Sequence, residues 1–403
     1  MPTAVRTARR SARRVPASAD LVALGRAHGL DAVGVAPATT FATTRRHLEQ
    51  RKAAGLHGGM RFTYLRPERS CDPGAAVPGA RALVVAARSY RRAVVAADAA
   101  ATDTDAADAG VVGRTTVDLP DHHPTPPQGR VARYAWDDHY GPLRAALTVI
   151  AGALTSEGWR ARVVADDNAL VDREAAYRAG LGWYGKNANL LLPGEGSWFV
   201  LGSVITDAPL AATTERVHDG CGTCTRCLEG CPTGAIVAPG VVDARRCLAW
   251  LLQIEGAFPR EHRVALGDRL YGCDDCQEVC PPNRRVDRTR AAPAAADSAQ
   301  ATVDLLDLLA ATDDELLARH GRWYIPQRQA RYLRRNALVV LGNVADAGDR
   351  RVAAALRRAL GHDDALVRAH AVWAARRLGR DDLLTEAGRR LADDPAPLVR
   401  AEL

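Results

Sequence analysis

The chain has almost no lysine. Lys52 and Lys186 are the only two, although the formal net charge is +7. Arginine carries nearly all the positive charge, so Lys186 stands out as a position that has kept a different cation. No run of about 18 apolar residues is free of charge, which argues against a membrane span. The Arg-rich start MPTAVRTARRSARRVP is followed by no apolar core of the kind a secretory signal needs. Composition alone admits a transit peptide, but the simpler reading of residues 1–16 is a disordered basic tail on a cytoplasmic protein. No G-x-G-x-x-G follows a strand, so nothing supports a dinucleotide-binding turn.

What is present is a chain of 403 residues, long enough for two or three domains with real cores. The charge is unevenly placed: residues 321–403 carry sixteen Arg against ten Asp and Glu. A basic C-terminal module suggests a polyanionic partner such as nucleic acid, or only a solvated face. Residues 17–210 read as an α/β domain, with a helix then a strand at 18–35 and further strands at 82–90 and 160–166. A helix is expected near 142–157, with Pro142 in its first turn, and another at 170–180, ended by Gly180. NLLLP and SWFVLGSVITD supply two more strands. Residues 92–128, rich in Ala, Asp, Thr and Pro, read as a mobile insertion, and 291–302 as a linker. The region 303–403 is helical and repeats itself. DDALVRA at 363–369 returns as DPAPLVRA at 394–401, a period near 32 residues that is similar to HEAT-type repeats.

Residues 211–290 hold all but one of the cysteines. Cys221, Cys224, Cys227 and Cys231 form C-x2-C-x2-C-x3-C followed by Pro232. This is bacterial ferredoxin spacing, in which three thiolates hold one cluster and the fourth reaches a second. The second set, Cys273, Cys276 and Cys280-Pro281, lacks a fourth member, because Leu270 stands at the expected position. Cys247 is the available substitute. Eight thiolates suffice for two [4Fe–4S] clusters: Cys221, Cys224, Cys227 and Cys280 on one, Cys231, Cys247, Cys273 and Cys276 on the other. Paired C-x-x-C units also bind zinc, but a three-cysteine run ending in Cys-Pro is poor zinc spacing. Cys71 is left over as a buried free thiol. Two fully ligated clusters carry electrons one at a time, so they must feed a redox site elsewhere in the chain.

In order along the chain, VADDNALVDREAAYRAGLGWYGKNANLLL, GSWFVLGSVITD, CGTCTRCLEGCPTGAIVAPGVVDARRCLAWL and RLYGCDDCQEVCPPN resemble the epoxyqueuosine reductases. The likeness runs from about residue 18 into the C-terminal repeats, sparing the tail and the 92–128 insertion. It implies an α/β domain that holds cob(II)alamin base-off, consistent with the absence of the D-x-H-x-x-G motif that supplies a histidine ligand in many mutases. It implies that the two clusters reduce this cofactor, and that the substrate is tRNA carrying epoxyqueuosine at the wobble position. Two electrons and two protons would remove the epoxide oxygen as water, with an acid protonating the oxygen. An unidentified electron donor of flavodoxin or ferredoxin type, and a monomeric protein, go with this reading.

The resemblance also implies site residues. The family's acid is the Asp of a V-D-[ST] segment, six residues before an acidic-Arg pair. Counting back from Asp172-Arg173 gives Asp166, with Asp167 where Ser or Thr is usual. Arg69 matches an Arg near the corrin, and Asn187, Leu190 and Leu201 match segments that line it. Gly182 and Gly185 would let that backbone approach closely. Ala132 stands where one relative has a Cys over the cobalt. Asp274 and Asp275, between cluster ligands, would face the corrin edge, and Lys186 would bind a cofactor amide or phosphate, or a surface carboxylate. Arg334, Arg335 and Arg368 are the candidate tRNA contacts, as phosphate partners; Trp323 and Tyr324 are candidates for stacking on a base, against core packing. Two other readings stay open: a reductive dehalogenase-like cobalamin enzyme acting on a small molecule, and a non-catalytic ferredoxin-type electron carrier.

Overall fold

The structure is a computed structural model that describes residues 13–92, 125–213, 215, 217–294 and 300–403. Most of the expected basic tail and of the expected insertion lies outside the described residues. The α/β region is built on a four-stranded sheet ordered Ala32–Pro37, Ala82–Ser89, Phe199–Thr206, Ala161–Val164, with every neighbouring pair antiparallel. Its central strand is an unbroken apolar run because both faces are covered. Ala82, Val84 and Ala86 pack with Leu143, Leu147 and Ile150 of the helix Tyr140–Ser156. Leu83, Val85 and Ala87 face the other way, onto Phe41, Leu48 and Ala175. The edge strand Ala161–Val164 ends two residues before Asp166, so the sheet delivers that aspartate to its rim.

A second sheet joins regions that the sequence keeps far apart. Gln128–Val131 lies between Arg269–Tyr271, parallel to it, and Thr302–Asp304, antiparallel to it. The expected linker therefore ends as ordered backbone: Gln300 donates to Trp136 O and Val131 to Ala301 O. One core then runs from Val131 and Trp136 through Leu248, Leu252 and Leu270 into the helices Leu305–Ala310, Arg331–Val344 and Ala365–Arg377. The repeats are therefore not an appendage, and truncation near residue 302 would open that core.

The repeated segment, an aspartate shortly before Leu-Val-Arg, has a physical basis. Asp364 caps the helix Ala365–Arg377 by accepting Leu366 N–H at 2.7 Å, and Asp394 accepts Ala396 N–H at 2.9 Å. Each of these aspartates also receives an arginine from earlier in the chain: Arg331 reaches Asp364 at 3.4 Å and Arg368 reaches Asp394 at 2.7 Å. This corrects the expectation for Arg368. Its guanidinium is spent on Asp394 and on the carbonyls of His362 and Asp363, not offered to a phosphate.

Arg334 and Arg335 are corrected in the same way. They lie on a helix whose residues Tyr332 to Gly342 are all buried. Arg334 pairs with Asp313 and donates to Ala311 O. Arg335 is 0% exposed, and all its donors go to carbonyls at 251–256 and to Asn336. Neither guanidinium is left for RNA.

Candidate redox and substrate site

The two expected cysteine quartets come together separately. Burial pushes the Cys280 thiol up to about 11, and the thiols whose charge it feels are Cys221, Cys227 and Cys224. Cys227 in turn feels Cys221 and Cys224. Burial also raises Cys276, which feels Cys273, Cys247 and Cys231. Each group is the assigned set of four, so the fourth thiol of each run does cross to the other group. Among the described residues, no three His, Cys, Asp or Glu side chains converge tightly enough to chelate a single ion. Cys280→Ser should therefore cost one cluster, cutting iron in the reconstituted protein from about eight to about four atoms per chain. Iron analysis on the anaerobic protein checks this, and an unchanged content would break the assignment. Cys71 is fully buried with its thiol pushed up to about 11, an inert core residue.

The second quartet is fastened to the α/β region by short-range contacts. Asn187 donates to Cys276 O at 3.1 Å, and Ala132 N–H to Tyr271 O at 2.8 Å. Arg133 N–H reaches Asp274 at 2.7 Å, while the other oxygen of Asp274 is buried without a partner. Asp275 differs from the expectation. It is clamped by Arg269 at 2.6 Å and by Arg130 at 3.4 Å, which makes it a brace for the strands at 128–131 and 269–271. Gly182 and Gly185 also serve packing: a Cβ there would lie 2.0 Å from Leu191 O and 2.4 Å from Leu191 Cδ1. Lys186 donates to Gly222 O at 2.8 Å, inside the first cysteine loop, and not to a carboxylate.

Asp166 sits on the loop leaving the edge strand with φ +53°, a left-handed conformation that costs a non-glycine residue about 1 kcal/mol or more. The loop is held from below and behind. Arg144 donates to Ala165 O at 2.8 Å, Ser70 Oγ to Asn168 O at 2.6 Å, and Val171 N–H to Ser70 O at 3.0 Å. This places the expected Arg69, exposed at the end of the short helix Pro67–Ser70, beside the Asp166 loop. The two adjacent aspartates differ in kind. Asp167 accepts Ala169 N–H at 2.8 Å and faces Arg162 at 3.6 Å, a turn residue at the surface. Asp166 makes no such bond, and loss of water around its carboxyl raises its pKa, with the Asp167 charge adding to the effect and Arg144 opposing it. By surface area Asp166 is exposed, so the crowding that raises its carboxyl is partial and the group stays open to a partner from solution.

Sequence reasoning missed most of what surrounds it. Asp172, used only as a landmark, has a carboxyl held well above the usual range by burial, with one oxygen unpartnered. Tyr140 feels both Asp166 and Asp172, and Tyr271 feels Asp166 and lies against Tyr134. Tyr134 in turn feels Asp274. A line of tyrosines thus connects the Asp166 loop to the second cysteine group. Leu190 is buried and Leu201 half-buried in the core below this wall. Trp323 stacks on Tyr271 with ring centroids 4.5 Å apart, so it is core. Tyr324 is 59% exposed, and its backbone N–H is fixed by Tyr271 Oη at 2.7 Å.

The comparisons agree with this geometry. Residues 220–283 match a 4Fe-4S double cluster binding domain, and residues 325–403 match HEAT repeats. An epoxyqueuosine reductase of Xanthomonas campestris pv. campestris is 35% identical over 81% of this chain and 87% of its own length. The chain belongs to the epoxyqueuosine reductase family. The epoxyqueuosine reductase of Bacillus subtilis is 30% identical over 95% of this chain and 93% of its own. A solved epoxyqueuosine reductase bound to an epoxyqueuosine-modified tRNA-Tyr stem loop superposes with a TM-score of 0.79, at 28% identity, over 95% of this chain and 96% of that one. Another, from Bacillus subtilis, was solved with a catalytic loop bearing an aspartate swung out of the active site, at a TM-score of 0.78 over the same shares of the two chains. Family membership makes this epoxyqueuosine reductase homologue an oxidoreductase, and the double-cluster module makes it an iron–sulfur protein.

Proposed function

We propose that this protein reduces epoxyqueuosine to queuosine in the anticodon of tRNA, with cobalamin as the reducing cofactor and Asp166 as the proton donor. The observation that carries the reading is the meeting of three elements at one wall. These are a strained Asp166 on an exposed loop with its carboxyl pKa raised, a line of tyrosines, and the more deeply set of two cysteine quartets. The unpartnered buried oxygens of Asp172 and Asp274 and the unpartnered indole N–H of Trp183 suit a macrocycle rimmed by amides, which brings both donors and acceptors. Arg69, Ala132, Asn187, Leu190, Leu201 and Asp274 would hold that macrocycle. When bound and reduced, cobalamin supplies the electron pair that opens the epoxide. The protein's share is to place the substrate and to protonate the departing oxygen, which is finally lost as water.

Nucleoside mass spectrometry tests the reaction. tRNA from a strain lacking the gene should carry the epoxide, one oxygen heavier than queuosine. The purified, reconstituted protein with cobalamin and a reductant should convert it. Normal queuosine in the deletion strain, with no conversion in vitro, would overturn the proposal.

Tyr324 is the residue best placed to meet the RNA. It projects beside the tyrosine line, and base–aromatic stacking is worth about 1–3 kcal/mol. Tyr324→Ala should weaken binding of a modified anticodon stem loop by about 5- to 100-fold and leave iron content and melting temperature unchanged. Unaltered affinity in a binding titration would remove Tyr324 from the interface.

A further inference from the structure

The two cysteine groups are not equally accessible, and the difference gives the wire a direction. In the second group, the residues between and beside the ligands, Gly272, Asp274, Asp275 and Gln277, are all buried. That group faces the Asp166 wall through Asp274 and Asn187. In the first group, Gly222, Thr223, Thr225 and Arg226 are exposed, and a shallow concavity runs from Cys221 and Cys224 to Pro281. Of the two ends, this one presents the more exposed ligand loop to a partner arriving from outside.

The concavity is bordered by the helix Pro281–Thr289, which begins at the cluster ligand Cys280 and has two unlike faces. Asn283 and Val286 are buried beneath it, and Asp287 ties it down by pairing with Arg91 at 3.1 Å and Arg133 at 3.0 Å. The opposite face carries Arg284, Arg285 and Arg288, all exposed. Among the described residues none of the three pairs with a carboxylate, and the one bond their side chains make there is from Arg288 to the helix's own Arg284 O. Arg91 and Arg133, which lie against the buried side of this helix, instead meet its Asp287. Arg226 is exposed on the concavity, and the Lys186 ammonium lies against Gly222 O between two cluster ligands. The nearby acids are Asp219, which accepts Cys221 N–H, and Glu229, which accepts the Thr225 hydroxyl. They are outnumbered.

We propose that this basic face, formed by Arg284, Arg285, Arg288, Arg226 and Lys186 around the first cysteine group, is the docking surface for an acidic one-electron carrier protein. The occupant follows from complementarity: a cationic rim around an accessible electron acceptor speeds encounter with an anionic donor surface. Each encounter moves one electron. The carrier is oxidised by one electron, and the first cluster passes from its 2+ to its 1+ state. No bond forms and no proton is exchanged, so two encounters supply the two electrons of one turnover. An RNA phosphate backbone would also favour such a face. The protein carrier is preferred because the charges surround a cluster edge, whereas the RNA-facing Tyr324 lies beside the other quartet.

The test uses the full reconstituted protein and follows cluster bleaching by stopped-flow absorbance, with neither tRNA nor cobalamin, so it stands apart from the proposed reaction. Reduced flavodoxin, chosen for its acidic face, is the probe. The variant Arg284→Glu/Arg285→Glu/Arg288→Glu should slow flavodoxin-driven reduction at low salt at least about tenfold. It should also flatten the salt dependence of the rate. Reduction by dithionite, which needs no docking face, should be unchanged, and this also shows that the clusters are intact. Replacing the same three residues by Lys should restore most of the rate. Equal flavodoxin rates in wild type and the Glu variant would overturn the proposal. So would loss of stem-loop affinity in the Glu variant with carrier-driven reduction intact, which would assign the face to RNA.

Discussion

Asp166→Asn is expected to keep the fold, both clusters and tRNA binding while lowering turnover by about 10²- to 10⁴-fold, the usual worth of a positioned general acid. Asn is the right replacement because it tolerates the left-handed backbone at φ +53° better than most residues and keeps the side-chain shape. The sign of the pH effect follows from the chemistry. The acid acts in its protonated form, and loss of water around the carboxyl raises its pKa. A larger protonated fraction therefore survives toward neutral pH than an ordinary aspartate would give. Turnover should fall as pH rises through that raised pKa, and the Asn variant should lose this limb of the profile along with its rate. Asp167→Asn is the control. Asp167 caps a turn and faces Arg162, so its loss should change turnover less than about threefold, as surface substitutions rarely reach 1 kcal/mol. If Asp166→Asn turned over normally, the acid would lie elsewhere on this wall, with Tyr140 and Asp172 next to be tested.

What the sequence made legible is what depends on local spacing. Cys221, Cys224 and Cys227 must converge within one loop, so the pattern of intervals alone assigns them, and the two quartets assemble as that pattern requires. The strand and helix sequence of the α/β region is legible for the same reason, since period and punctuation are local. The direction in which a charged side chain points is not local. The repeat arginines read as a basic surface because charge was counted without orientation. A warning was present: from Tyr332 to Gly342 the helix carries apolar residues on every side, which marks a central helix, and an arginine on such a helix is internal. The ion pairs of Asp275 with Arg269 and Arg130, and the approach of Leu191 to Gly182 and Gly185, were not legible because these partners come from strands whose pairing no local pattern announces. The tyrosines at 134, 140 and 271 escaped notice because single aromatics look like core until three separate segments bring them to one wall.

Arg335→Met should be the most damaging substitution outside the cluster ligands. Methionine fills much of the same volume, so the loss is of charge and hydrogen bonds and not of packing. Arg335 donates to Ile254 O at 2.7 Å, Gly256 O at 2.8 Å and Leu252 O at 3.1 Å, and twice to Asn336. It thereby holds the carbonyls that follow the helix Leu248–Leu251, which begins at the cluster ligand Cys247. Among the described residues no carboxylate balances the charge, and burial pushes the guanidinium pKa down to about 9, still high enough to keep it protonated at neutral pH. Removing an uncompensated charge is favourable in itself, and this opposes the loss. The hydrogen-bond side is larger, because the carbonyls of buried Leu251 and Leu252 lose a side-chain donor, whereas those of half-buried Ile254 and exposed Gly256 can turn to water. At about 1–3 kcal/mol for a buried unsatisfied group, the net destabilisation should be about 1–3 kcal/mol. A strain so close to Cys247 should act first on the second cluster. The reconstituted variant should lose up to about four of about eight irons and melt several degrees lower, while the first cluster keeps its flavodoxin-driven reduction. A variant with full iron content and an unchanged melting temperature would show that the carbonyls find other donors, and that Arg335 braces nothing the clusters need.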